Sequence, residues 1–218
     1  MILSSKGFHC EGILRGGIGQ TVAGLSRPAS AGRAGIYDLA LVLGGSLLIG
    51  VAAQLTIPLP VVPVTGQTFA VLLLGMLFGV RLGVWTVLTY LMEGAAGLPV
   101  FSEGRSGPAV LLGPTGGYLV GFLAAAAVVG LLAQRGWDRR VHTTIAAMVL
   151  GNLVLYSFGL GWLAHWVGTH NALAVGLYPF VAGEVIKVVL AAAVLPLGWG
   201  FLAGMRPRTQ TPSKEDLP

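Results

Sequence analysis

Residues 178–204 read YPFVAGEVIKVVLAAAVLPLGWGFLAG, and inside this apolar run stand Glu184 and Lys187. The run is long enough to cross a bilayer as one helix. Three residues apart on a helix, the two side chains leave the same face, so a carboxylate and an ammonium can address each other or one shared ligand. An ionisable group facing lipid costs roughly 2.5–3.5 kcal/mol on insertion scales, which favours a place toward a bundle interior or a water-filled cavity. In a membrane-spanning helix the pair therefore marks a site. The bland alternative is a self-satisfied ion pair that helps helices pack.

Composition carries the membrane class to the whole chain. Of 218 residues, 55% are hydrophobic and 10% charged, and the mean hydropathy is +0.81. A soluble domain carries about 25% charged residues. The chain reads as an all-α polytopic membrane protein with room for about six helices of roughly 20 residues. Its 34 glycines suit helices that approach closely in lipid. The expected organisation is a basic, poorly ordered extension over residues 1–35, one six-helix membrane domain over 36–204, and a polar tail over 205–218. A single cysteine, Cys10, excludes an internal disulfide and a cysteine-based metal cluster.

The first span is expected over residues 36–57, ending where Pro58, Pro60 and Pro63 forbid a continuing helix and impose a stiff extended loop. A short apolar segment over 68–78 follows, then a tight turn at 79–83 and a third segment over 84–96. The second segment is barely long enough to cross. Short or irregular elements at membrane depth are tolerated where they are buried in protein or line a cavity, so this region is a candidate cavity wall. A long polar connection leads to a fourth span over 118–132. A fifth over 143–167 precedes the charged sixth.

Lysine and arginine set the orientation. With both termini in the cytoplasm, that side receives Lys6, Arg15, Arg27, Arg33, Arg81, Arg135, Arg139, Arg140, Arg206, Arg208 and Lys214, while the outer side receives Arg105. The net charge of +5 is thus a topology signal and calls for no nucleic acid. This topology gathers Gln67, Glu93, Arg105, Thr115, Tyr118 and the Glu184/Lys187 pair around one outward-facing vestibule.

Several of these residues carry a second possibility. Arg105 either attracts a ligand carboxylate or bonds Glu103 or lipid headgroups. Glu93 is a wall of the site or the snorkelling end of a helix. Asn152 bonds across helices, with ligand contact as the lesser alternative. His165 and His170, beside Trp162 and Trp166, fit an interfacial position better than a metal site. In the first span, Ala40 and Gly44 form a small-residue stripe that admits another helix, from this chain or from a partner.

In order along the chain, VPVTGQTFAVLLLGMLFGVRLG (62–83), YLMEGAAGLPVF (90–101), GPTGGYLVGF (113–122) and YPFVAGEVIK (178–187) resemble the biotin-specific substrate-binding subunit, the S component or BioY family, of energy-coupling-factor (ECF) transporters. The resemblance runs from about Tyr37 to Gly204. It implies a six-helix plasma-membrane protein that captures biotin at its outer face for vitamin uptake. It further implies a transmembrane coupling protein and two cytoplasmic ABC-type ATPase subunits as partners, with no cofactor beyond the transported ligand. By the family's acid-x-x-lysine motif, Glu184 accepts from a ureido N–H of biotin. Lys187 donates either to the ureido oxygen or to the carboxylate. Tyr118 packs on the bicyclic ring or bonds a polar edge, and Thr115 belongs to the vestibule. Ala40, Gly44 and Leu48 correspond to the face that docks on the coupling protein. The chain departs from the usual motif by carrying Glu184 in place of aspartate, which sets the carboxylate about one methylene further out.

No G-x-x-x-x-G-K-[ST] phosphate loop is present, so ATP hydrolysis is left to partners. Neither a G-x-S-x-G elbow nor an H-E-x-x-H pair supports an intramembrane enzyme. The alternative to a subunit is a stand-alone transporter of biotin or another small vitamin, whose signature would be two related halves. No internal repeat of that kind is visible.

Overall fold

The computed structural model describes residues 21–204. The extension over residues 1–20, Cys10 within it and the tail over 205–218 lie outside the described residues. In chain order the elements are α1 (Val22–Leu25), α2 (Ala31–Gln54), β1 (Thr56–Ile57), β2 (Val64–Thr65), α3 (Gln67–Ala95), α4 (Pro108–Leu112), α5 (Gly116–Gln134), α6 (Val141–Val167), α7 (Thr169–Gly176) and α8 (Tyr178–Gly204). A 3-10 turn lies at Ser102–Gly104. Helices α2, α3, α5, α6 and α8 are each long and apolar enough to cross a membrane.

The sixth crossing element comes from a break in α3. Gly79 adopts φ 77° and ψ −179°, splitting the helix into arms over 67–78 and 80–95. That φ lies where a Cβ is strongly disfavoured. A Cβ there would also sit 3.0 Å from both Gln134 Nε2 and Thr21 Cγ2. The first arm rises about 18 Å at 1.5 Å per residue, well short of a hydrocarbon core of about 30 Å. The chain ahead of it forms the β1–β2 hairpin, pairing Thr56 with Thr65 and Ile57 with Val64. The stiff loop expected from Pro58, Pro60 and Pro63 is thus the tip of a hairpin.

The N-terminal side differs from expectation. Helix α2 begins at Ala31 rather than at residue 36, and α1 precedes it. Arg27 clamps Asp38 in a two-point ion pair, Nε to Oδ1 at 3.0 Å and Nη2 to Oδ2 at 2.6 Å. That fork geometry makes the strong class of charge-assisted hydrogen bond and ties the entry segment to the helix.

Helix α3 packs mainly on α5 and α2, α5 on α6, and α6 on α8. Tyr90, Phe101, Ile49, Leu72, Met76, Met148 and Leu155 are fully buried among these contacts. Along α8, Val185, Ile186, Val189 and Leu197 point outward instead, the arrangement of a helix whose outer face meets lipid. The Gly79 break lies at one end of the bundle with the α5–α6 turn, where Trp199 Nε1 donates to Asp138 Oδ2 and Arg139 covers the Trp199 ring at 4.6 Å. The opposite end holds the hairpin, the 97–115 connection and α7. These irregular, polar-rich parts frame the site.

Replacing Gly79 by valine should lower stability by at least the roughly 1–2 kcal/mol that a left-handed conformation costs an L residue. Unfolding followed by circular dichroism in detergent should show a depressed midpoint. An unchanged midpoint would mean that the break does not depend on glycine.

Candidate functional site

Helix α8 presents Glu184 and Lys187 on the face that meets the start of α3. The Lys187 ammonium donates to the Thr65 carbonyl at 2.8 Å, to Thr68 Oγ1 at 2.7 Å and to Glu184 Oε1 at 2.8 Å. An ammonium has three donors, so every one is used. The Thr68 hydroxyl accepts from Lys187 and donates onward to Glu184 Oε1 at 2.7 Å. Glu184 is buried, and its second oxygen, Oε2, has no hydrogen-bond partner among the described residues. The cluster thus holds a carboxylate in place by one oxygen, with the Tyr156 hydroxyl close to the carboxylate from α6.

Above the cluster lies a cavity of about 50 Å³. Hairpin and α3 residues Thr65, Gln67 and Thr68 form one wall, and Thr115 and Tyr118 at the start of α5 form another. Gln67 is fixed by its neighbours, donating from Nε2 to the Tyr90 hydroxyl and accepting from Thr65 Oγ1 at 2.8 Å. The Tyr118 hydroxyl donates to the Gly176 carbonyl at 2.9 Å, which anchors the ring. Tyr118 stacks on Phe180 with centroids 6.5 Å apart, and Tyr156 meets Tyr118 and Phe180 edge-on at 6.0 and 6.1 Å. Three rings in preferred geometries give the cavity a rigid aromatic floor.

The expected vestibule is divided. Gln67, Thr115 and Tyr118 line the cavity, and the Glu184/Lys187 pair adjoins it through Thr65 and Thr68. Arg105 sits outside, lining a separate outer hollow that shares Val110 and Thr115 with the cavity. Its guanidinium lies 3.5 Å from Glu103 Oε2 and donates to the Ser102 carbonyl and hydroxyl. Glu93 is elsewhere, accepting from Ser46 Oγ at 3.0 Å between α3 and α2. It therefore joins two helices and does not line the cavity. The cross-helix bond expected of Asn152 is not made by its carbonyl oxygen. That Oδ1 is buried with no partner among the described residues. Among the described residues, no three His, Cys, Asp or Glu side chains gather where a metal could sit.

Sequence patterns missed Thr65, Thr68, Tyr156 and Phe180. A threonine or an aromatic in an apolar segment carries no charge signal, and only the partner across the bundle distinguishes a site residue from packing. The sequence did contain one pointer, since Thr65 and Thr68 flank Gly66 and Gln67 in the segment read as a cavity wall.

A bundle of membrane-length helices that holds a buried ion pair beneath an aromatic cavity at its irregular end is a multi-pass membrane protein built to receive a small ligand. The match to the BioY family model over residues 25–204 is more specific, and the chain belongs to that family. Among its relatives, the "Biotin transporter BioY" of Thermotoga maritima is 39% identical over 163 residues, covering 74% of this chain and 90% of that protein. The "Biotin transporter BioY2" of Lactococcus lactis is 40% identical over 160 residues, covering 71% of this chain and 86% of that protein. The crystal structure of the S-component for biotin from an ECF-type ABC transporter matches with a TM-score of 0.68 at 23% identity, covering 79% of this chain and 95% of that one. The fold is therefore that of an ECF S component.

Substituting Lys187→Met should destabilise the protein by about 3–5 kcal/mol, because it strands a buried carboxylate. The double variant Glu184→Gln/Lys187→Met should regain most of the loss. Denaturant unfolding in detergent measures both, and a double variant no more stable than the single one would contradict a closed ion-pair cluster.

Proposed function

We propose that this chain is a membrane substrate-binding subunit that captures biotin from outside the cell for uptake, energised by partner ATPases through a membrane coupling protein. The observation that carries the proposal is the open carboxylate oxygen of Glu184, held beside an aromatic cavity by a lysine whose protons are all engaged. Biotin offers two ureido N–H donors, one carbonyl acceptor, an apolar bicycle and a carboxylate tail. Glu184 Oε2 suits a ureido N–H, Tyr118 and Phe180 suit the rings, and Gln67 and Thr115 supply polar groups along the wall. Arg105, in the hollow beyond Thr115, stands where a carboxylate tail leaving the cavity would find a cation. The relatives named as biotin transporters support biotin over other small vitamins.

In this proposal both termini are cytoplasmic and the cavity opens outward, in keeping with the lysine and arginine distribution. The partner face is the stripe Ala40, Gly44 and Leu48. All three are exposed, and a Cβ on Gly44 would meet nothing within 4 Å. Its neighbour Gly45 turns inward, where a Cβ would lie 2.7 Å from Thr86 Cγ2. Internal packing therefore consumes Gly45 and leaves the Gly44 stripe free to admit a helix from another protein.

Equilibrium binding of labelled biotin to the purified protein in detergent, with thiamine and riboflavin as competitors, tests the proposal. Wild type should bind biotin selectively, and Glu184→Ala should weaken binding at least 100-fold, about 2.7 kcal/mol. A folded wild type that ignores biotin would refute the substrate. Gly44→Trp should leave biotin binding intact while abolishing co-purification with an ATPase pair. Unchanged co-purification would move the partner face elsewhere.

A further inference from the structure

The cavity, at about 50 Å³, is far smaller than the about 300–1,000 Å³ of small-molecule pockets, so a wall has to move to seat a ligand of biotin's size. Tyr118, Tyr156 and Phe180 stand on long helices, and Lys187 ties the hairpin wall down through the Thr65 carbonyl. The wall made by Phe101 and Ser102 differs, because it belongs to a non-helical segment. That segment runs between Gly97 and Gly107, whose φ angles of 103° and 88° suit glycine and whose surroundings leave open space. Within it Glu103 holds φ 61°, a conformation that stores backbone strain.

The segment is clasped from α2. Gln54, the last residue of that helix, donates from Nε2 to the Phe101 carbonyl at 3.0 Å and accepts at Oε1 from the Gly104 N–H at 3.1 Å. Gln54 is exposed, so both bonds can be exchanged for water at small net cost. Behind the clasp, Phe101 is fully buried edge-on against Tyr90, and the Tyr90 hydroxyl donates to the Val100 carbonyl at 3.2 Å. Helix α2 meets the same region at Gly50, where a Cβ would lie 3.5 Å from Val100 Cβ. Its opposite side carries the exposed residues Ala40, Gly44 and Leu48. One helix therefore separates the partner stripe from the cover of the cavity.

We propose that Gln54 is a positioning residue that links partner docking to ligand exchange: it holds the Phe101 cover shut from the end of α2, and a membrane helix seated on the Gly44 stripe releases it by shifting α2. The proposal rests on the biotin-capture reading and its partner face, and adds the connection between them. Hydrogen bonds weaken steeply with misalignment, so a small displacement of α2 breaks the clasp while its apolar contacts persist. The clasp joins protein to protein and is not part of the cavity lining, so losing it lowers the barrier to entry and to exit alike. Gln54 thus governs rates more than affinity.

Stopped-flow biotin association and dissociation with the full-length protein in detergent test this. Gln54→Leu keeps the side chain's size without its hydrogen bonds. Both rates should rise about tenfold, as two hydrogen bonds of ordinary net strength give, while Kd changes by less than about threefold. If Gln54→Leu fails to fold, Gln54→Ala is scored by the same rates. With the coupling protein bound in nanodiscs, wild type should release biotin about tenfold faster than the free protein, and Gln54→Leu should gain nothing further. Unchanged rates in the variant would overturn the clasp, as would weaker binding with unchanged association, the mark of a residue that only shapes the site. Equal acceleration of wild type and variant by the coupling protein would overturn the link through α2. Wild type that binds biotin while any of these results holds leaves the capture reading standing. Wild type that binds no biotin refutes the capture reading, and wild type that binds biotin but no coupling protein refutes the partner face; either removes this proposal with it.

Discussion

The arrangement depends on one buried ammonium. Lys187 reaches from α8 to the backbone of the hairpin, to a hydroxyl on α3 and to a carboxylate on its own helix, and so binds together elements far apart in the chain. Two charges buried in a low-dielectric interior repay their desolvation only when geometry is good and the remaining donors are satisfied. Here the donors are satisfied, and the unsatisfied atom is on the carboxylate. That asymmetry is what a ligand site requires and a structural rivet does not. A pair closed on both sides would have nothing left to offer a ligand.

The fold supplies what the pair needs. A short first arm of α3 places Thr68 and the hairpin carbonyl of Thr65 at the depth of Glu184. The break at Gly79 allows the arm to be short while the second arm returns with Tyr90, which holds Gln67. Helix α7 gives Tyr118 a carbonyl to bond, which fixes the ring against Phe180. On the far side of the molecule α2 divides its small residues between two tasks, Gly45 inward against Thr86 and Gly44 outward.

Much of this is legible in the residues alone because charge in an apolar run is expensive wherever it occurs. Glu184 and Lys187 announce themselves for that reason, and the apolar run that contains them, 178–204, is also the extent of α8. The prolines at 58, 60 and 63 and the turn at Gly79 are equally plain, since each removes a backbone option. The same logic misplaces Glu93: a carboxylate at the end of an apolar run looks alike whether its partner is a ligand or Ser46. Tyr156 and Thr68 give no signal, because neutral residues are cheap on many faces of a membrane helix and only the fold shows what lies opposite. The start of α2 escapes for a related reason, as Arg27 looks like a charge on a loose extension until the fold pairs it with Asp38.

A crystal structure of the protein with biotin bound would test the central claim most directly, that the open oxygen of Glu184 receives the ligand while Lys187 stays engaged with the protein. The account predicts a ureido nitrogen within hydrogen-bonding distance of Glu184 Oε2, with the Lys187 contacts to Thr65 and Thr68 kept. Biotin seated away from Glu184, or a Lys187 ammonium that has left the cluster to bond the ligand, would contradict it.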